Sequence, residues 1–150
     1  MRKTLAPLAF ALLVVGHAQS EEKAKGAFDA AKLAGDWKIS SGLRNGEKIS
    51  EMGMKMPIKV TKDDFILGAG EMKFVMGYKL DTKAKPVAID LSIKSGPVPE
   101  GKAIGIIAMD GNKMKLCYVT DDGSGVKRPT KFESTKDNNA ALFELVPAKQ

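Results

Sequence analysis

The chain has very few residues of the kinds that most often carry out chemistry in proteins. Its 150 residues include one histidine, His17, and one cysteine, Cys117. His17 lies in an amino-terminal segment that we expect to be removed, and a chain without histidine cannot form a Ser-His-Asp triad, a Cys-His pair or an ordinary histidine zinc site. One cysteine cannot form an internal disulfide. The composition therefore predicts a protein that is not an enzyme, has no cofactor or metal site, and is stabilised by a packed core.

The first 20 residues have the three parts of a secretory signal peptide. Arg2 and Lys3 form a positive start, residues 5–15 are almost entirely apolar, and residues 18–20 place small side chains before a cleavage point. The apolar stretch is much shorter than the roughly 20 residues that span a bilayer. We therefore predict a signal peptide at 1–20, no membrane span, and an exported protein, periplasmic or secreted, that begins near Glu21.

Charge gives little indication of a partner. The 24 Lys and Arg residues and 18 Asp and Glu residues give a formal net charge of +6, and removal of Arg2 and Lys3 leaves +4. The lysines are scattered along the chain without a run or an aromatic-spaced stripe, so nucleic acid is not an expected partner. An electrostatic preference for an acidic polymer remains open.

Alternation of apolar and polar residues predicts β-strands over most of the chain. Every second residue is apolar in 72–80 and again in 87–93, and a period of two with one apolar side is typical of a half-buried strand. Residues 21–34 contain the only helical spacing of apolar side chains. With turn residues between the segments, the pattern predicts strands at 36–42, 47–50, 57–61, 64–68, 71–81, 87–94, 103–109, 113–119, 130–134 and 140–146.

The short connections between these strands indicate an up-and-down order. We predict an all-β fold, a small antiparallel up-and-down barrel of eight to ten short strands over 35–150, preceded by a short helix within 21–34. A closed barrel removes the two exposed edges that an open meander would leave. A β-sandwich is the alternative architecture.

The hairpin at residues 103–119 determines the direction in which Cys117 points. A three-residue loop separates apolar from charged side chains best, and it pairs Ile104 with Tyr118 and Gly105 with Cys117. This register directs Ile104 and Ile106 into the barrel and Cys117 away from its core. We expect Cys117 to be a small structural residue in a monomer, with a disulfide dimer through Cys117 as the second option.

Four stretches of the chain, in this order, resemble a known family: "LAGDWKI", "YKLDTKAKPVAIDLS", "MDGNKMKLCYV" and "RPTKF". The family is the uncharacterised lipocalin-like domain that is abundant in exported proteins of planctomycetes, and the resemblance runs from about Leu33 to the carboxyl terminus. It implies a small lipocalin-type barrel and brings no established activity. Gly35 and Trp37 resemble the Gly-x-Trp of a first lipocalin strand, which implies that Trp37 closes one end of the barrel, with Arg128 as a substitute for the arginine that stacks over it.

The alternation also predicts which side chains would line a ligand cavity. Such a lining is mostly apolar with two phenolic hydroxyls, as is common in small-molecule sites, although small barrels also fill their interiors with such side chains. The predicted lining residues are Met72, Phe74, Met76, Tyr78, Ile89, Leu91, Ile104, Ile106, Leu116 and Tyr118.

Three function hypotheses follow. The leading one is an exported non-enzymatic β-barrel that binds a small apolar or amphipathic ligand. The alternative is a solid-core interaction module that contacts a protein or an acidic cell-envelope polymer through its basic surface. An enzyme with an unrecognised carboxylate, tyrosine or lysine site is the least favoured, because no pair of groups with opposed acid and base roles is visible.

The alternating methionines Met52, Met54 and Met56 in "EMGMKMP" allow two interpretations. Thioethers are soft ligands that suit Cu(I) in an exported compartment. Methionine also fills irregular apolar spaces, and we favour a connection that packs over the mouth of the barrel.

Overall fold

Nine β-strands and three short helices run through residues 28–149, which are the residues that the computed structural model describes. Two of the helices are 3₁₀ helices, Ala30–Leu33 and Gly70–Met72, and the third is the α-helix α1, Glu51–Met54. The strands are β1 Gly35–Arg44, β2 Glu47–Lys48, β3 Ile58–Val60, β4 Asp64–Leu67, β5 Phe74–Asp81, β6 Val87–Ser95, β7 Lys102–Asp110, β8 Lys113–Asp121 and β9 Ala141–Pro147.

Eight of these strands close into a barrel. Each strand of the series β1, β3, β4, β5, β6, β7, β8 and β9 pairs antiparallel with the next. The ring closes where β9 pairs with β1, from Trp37 with Pro147 to Arg44 with Ala141. β2 extends β1 as a short hairpin whose turn residues, Asn45 and Gly46, both have positive φ. The predicted antiparallel up-and-down barrel is confirmed.

The predicted strand at 130–134 is wrong. These residues have no regular secondary structure and belong to a long connection, residues 122–140, that we call the strap. β8 already pairs with β7 along its whole length and with β9 from Met114 to Tyr118, and the strap does not pair with the remaining edge of β8. Instead it lies against the outer face of the barrel, where Val126 and Phe132 pack on buried residues of β7 and β8.

The amino-terminal helix is shorter within the described residues than the sequence predicted. It is the 3₁₀ helix Ala30–Leu33, capped by Asp29, whose carboxylate accepts a hydrogen bond from the Ala31 N–H at 3.0 Å. The rest of the predicted helical segment, 21–27, and the predicted signal peptide lie outside the described residues. α1 was not predicted, and its cap is Ser50, whose hydroxyl accepts from the Gly53 N–H.

The β7–β8 hairpin has a different register from the predicted one. Asp110 pairs with Lys113, so the loop has two residues, and the strands pair Ile106 with Cys117. A change of one residue in register exchanges the faces of a strand. Ile107 therefore points into the barrel and is 1% exposed, and the prediction that Ile104 and Ile106 face the interior is wrong. The apolar pattern was ambiguous because the strap buries the outer face of β7 as well.

Two apolar clusters result from this arrangement. The main cluster lies inside the barrel, and at the end where β1 begins the Trp37 indole N–H donates to the Leu33 carbonyl at 2.8 Å. The second cluster lies outside the barrel wall, beneath the strap, and includes Ile106, Cys117 and Val119. The main cluster closes one end of the barrel, whereas the second attaches the strap to its side.

Candidate functional site

The barrel encloses a cavity of about 430 Å³ that opens at the end opposite Trp37. Cavities of roughly 300–1,000 Å³ with mostly apolar walls are typical of small-molecule sites. At the mouth, β1 and β8 end while β7 and β9 begin. The lining residues are Ile39, Arg44, Ile49, Gly53, Met56, Ile58, Phe65, Leu67, Phe74, Met76, Leu91, Ile93, Gly101, Lys102, Ala103, Leu116, Tyr118, Thr120, Phe143 and Leu145.

Half of the ten predicted lining residues line this cavity: Phe74, Met76, Leu91, Leu116 and Tyr118. Tyr78 and Ile89 point the same way but belong to the packed core. The Tyr78 hydroxyl donates to the Thr61 carbonyl at 2.9 Å, and its ring meets Phe65 edge-on. Burial, and then the nearby Asp63 and Asp64 carboxylates, raise the pKa of Tyr78 above its ordinary value.

The other three predicted residues lie elsewhere. Met72 is in the second 3₁₀ helix and is 65% exposed, so it does not reach the interior. Ile104 and Ile106 lie under the strap on the outer face. The alternation of apolar residues in 72–80 begins two residues before β5, which starts at Phe74. This is why the predicted lining included Met72.

Several lining residues were missed although their own alternation indicated them. Phe65 and Leu67 on β4, and Phe143 and Leu145 on β9, are spaced by two and face inward. Arg44 could not have been found in this way. Its strand has a bulge between Ile39 and Ser41, and a bulge changes the face on which the following residues lie.

The segment that precedes β3 covers part of the mouth. Ile49, Gly53 and Met56 line the cavity from this side. Gly42 makes room for it, because a Cβ there would lie 2.6 Å from the Ile49 Cδ1 atom. The sequence interpretation that this segment packs over the mouth agrees with the structure.

The three methionines of this segment lie in different environments. Met52 is 83% exposed, Met54 packs against the main cluster, and Met56 lines the cavity. A helix rather than a strand carries the first two, so their alternation does not place the three side chains on one face.

Polar groups meet at one side of the mouth. The Arg44 guanidinium donates to the Tyr118 hydroxyl oxygen at 3.4 Å, and the Tyr118 ring stacks on Phe143 with centroids 6.0 Å apart. Burial raises the pKa of Tyr118 above its ordinary value, and the charge of Arg44 opposes part of that rise. Tyr118 has room because its partner across the ladder is Gly105, where a Cβ would lie 2.7 Å from that of Tyr118.

Arg128 does not take part in closing the barrel over Trp37. One of its terminal nitrogens donates to the Ile89 and Gly105 carbonyls, both at 2.9 Å, and the other donates to an Asp90 carboxylate oxygen at 2.6 Å. These acceptors lie on β6 and β7, so Arg128 anchors the strap to the barrel wall. Trp37 lies at the closed end, where the Leu33 backbone is its hydrogen-bond partner.

Cys117 points away from the barrel interior, as predicted, but it is paired with Ile106 and is 0% exposed. Its thiol lies 3.5 Å from the Glu133 carbonyl oxygen of the strap. Burial raises the pKa of the Cys117 thiol above its ordinary value. A thiol covered in this way is not available at the surface for the disulfide dimer that the sequence left open.

No protein-family model matches the chain, and no curated protein or solved structure matches it. Within residues 28–149, no helix has the length and apolar character needed to cross a membrane. In the same residues, no three His, Cys, Asp or Glu side chains come together in a way that could hold a metal ion.

Proposed function

We propose that this protein is an exported, non-enzymatic barrel that binds one small apolar or amphipathic ligand in its interior. The supporting observation is the apolar cavity of about 430 Å³, open at one end and closed by packed residues at the other. The interior side chains of a solid barrel would fill this space. An apolar ligand that enters it is removed from water on most sides, which is the main source of affinity in such sites.

Export is supported by the signal-peptide pattern of residues 1–20 and by the resemblance to a lipocalin-like family of exported proteins. Amino-terminal sequencing of the protein recovered outside the cytoplasm tests it. We expect the chain to begin near Glu21, and an exported form that retains Met1 would contradict the proposal.

The ligand-binding function is tested by filling the cavity. Met76 lies on β5 opposite Phe65 and contributes to the lining. We expect the wild-type protein to take up the neutral fluorescent probe N-phenylnaphthylamine and Met76→Trp to take up little of it, because the indole would occupy the binding volume. The unfolding free energy should change by no more than about 1 kcal/mol, since the larger side chain enters empty space.

Met52→Trp is the matched control, because it makes the same substitution at an exposed position that does not line the cavity. This variant should bind the probe as the wild type does. If the wild type takes up no probe and Met76→Trp unfolds the protein by overpacking, the barrel is solid and the proposal is wrong.

A further inference from the structure

We infer that the ligand is an amphipathic anion, with its apolar tail inside the barrel and its charged head group held at the mouth by Arg44 and Tyr118. The inference rests on the proposed function and adds to it the charge of the ligand and the place of its head group. It depends on three observations: the charges of the lining, the hydrogen-bonding groups left at the mouth, and an opening in the barrel wall beside them.

The charged groups of the lining are all of one sign. Among residues 28–149, Arg44 and Lys102 are the charged lining residues, and no aspartate or glutamate of this range lines the cavity. Lys102 faces Asp121 across the ladder. Arg44 faces Glu47 on β2 but forms no ion pair with it, and the ion pairs of the described residues involve other groups. A guanidinium at the edge of an apolar space, with no carboxylate partner among the described residues, favours an anion there.

Arg44 and Tyr118 can bind the same anion. The Tyr118 oxygen accepts a hydrogen bond from Arg44, whereas its hydroxyl hydrogen has no acceptor among residues 28–149. A planar guanidinium has five N–H donors, and one bond to Tyr118 leaves the others for a ligand. An anionic oxygen at this position would accept hydrogen bonds from both side chains, and hydrogen bonds of this charged kind are roughly twice as strong as neutral ones.

The barrel wall is incomplete beside these two residues. β9 begins at Ala141, opposite Tyr118, so residues 119–121 of β8 have no partner on that side. A groove of about 730 Å³ lies there, between the end of β8 and the strap, and Arg44 and Tyr118 line both this groove and the interior cavity. A head group at this border stays partly hydrated while the tail remains in the barrel, which reduces the desolvation cost of its charge.

The charges of the groove do not select the anion by themselves. Lys127 and Lys131 line it together with Asp122 and Glu133, so the two signs balance. Arg128 also lines the groove, but its charge is paired with Asp90. The selectivity is therefore assigned to Arg44, supported by the Tyr118 hydroxyl.

Probes with one tail and different head groups test the inference. Decanoate, decanol and decyltrimethylammonium are titrated against protein loaded with N-phenylnaphthylamine, and displacement of the probe reports binding. We expect decanoate to bind about tenfold or more tightly than decanol, the effect of hydrogen bonds to a charged group, and decyltrimethylammonium to bind most weakly. Decyl phosphate, added as a fourth probe, distinguishes a phosphate head group from a carboxylate within the same class of ligand.

Two variants assign the selectivity to residues. Arg44→Met should bind decanoate no more tightly than decanol, and Tyr118→Phe should retain only part of the preference. Circular dichroism and urea unfolding of both variants should match those of the wild type, which shows that they are folded. Lys38→Met is the control, because it removes an exposed cation of β1 that does not line the cavity, and it should keep the full preference for decanoate.

The outcomes separate this inference from the proposed function. If no decyl compound displaces the probe and the probe itself does not bind, both are wrong. If decanol binds as tightly as decanoate to the wild type, ligand binding stands and the anionic head group is wrong. If Arg44→Met retains the preference for decanoate, the assignment to Arg44 is overturned.

Discussion

Loss of the Arg128 side chain should release the strap while leaving the barrel intact. Arg128→Met keeps the apolar stem but removes two hydrogen bonds to backbone carbonyls and one to Asp90. The Arg128 side chain is 34% exposed and that of Asp90 is 58% exposed, so their ion pair contributes at most about 1 kcal/mol. The two bonds to carbonyls are less exposed, and together the three should contribute about 2 kcal/mol.

Most of that loss should appear as local opening of the strap. The strap is also held by Val126 and Phe132 in the second cluster and by Ser134, whose hydroxyl oxygen accepts a hydrogen bond from the Gly46 N–H at 3.0 Å. Cys117 lies beneath it and reacts only when it opens. If the free energy of opening falls by about 2 kcal/mol, the open population rises about 30-fold.

The assay is the rate at which an aromatic disulfide reagent labels Cys117 under native conditions. Arg128→Met should be labelled about 30-fold faster than the wild type. Lys127→Met is the control, because this neighbouring cation is exposed and has no hydrogen bond to the barrel within residues 28–149. Equal labelling rates in wild type and Arg128→Met, with equal stability in urea, would refute the assignment of Arg128 as the anchor.

Two further predictions concern stability. Gly105→Ala should destabilise the protein by about 1–3 kcal/mol in urea unfolding, because the new Cβ would clash with the Cys117 backbone carbonyl and with Tyr118. The control is Gly53→Ala, whose new Cβ would have its nearest contact at 3.5 Å and which should be neutral or slightly stabilising. Equal effects of the two substitutions would contradict this packing. Stability should also fall as pH rises above about 9. The reason is that the Cys117 thiol of the unfolded chain releases its proton near its ordinary pKa of 9.0, whereas burial raises the pKa of Cys117 in the folded state. The variant Cys117→Ala should therefore lose less stability than the wild type between about pH 8 and pH 10.

The fold could be predicted from sequence because most strands have only one buried face. On β5 and β6 an apolar side chain recurs at every second residue and most residues between them are charged or small, so the period of two is clear. β7 differs, because Ile104, Ile106 and Ile107 are all apolar and the strand is covered on both faces. Alternation cannot assign a face to such a strand, so the separation of apolar from charged side chains selected a loop that is one residue too long.

The candidate site was only partly predictable for the same kind of reason. The apolar wall follows from alternation, and Met76 and Leu116 were placed on the correct face. The polar end of the cavity depends on features without a periodic signature. Arg44 reaches the mouth because of a bulge, and the groove exists because β9 begins opposite Tyr118, after a connection that resembled another strand.

The closure of the ring between β1 and β9 has a consequence for folding. These strands lie near the two ends of the barrel sequence, and their pairing runs from Trp37 with Pro147 to Arg44 with Ala141. Contacts between residues so far apart in the chain are slow to form, because the entropy of closing a long loop must be overcome first. Until β9 is in place, β1 and β8 each present an unpaired edge that can recruit strands from other copies. Chains truncated before Ala141 should therefore aggregate rather than form a smaller barrel.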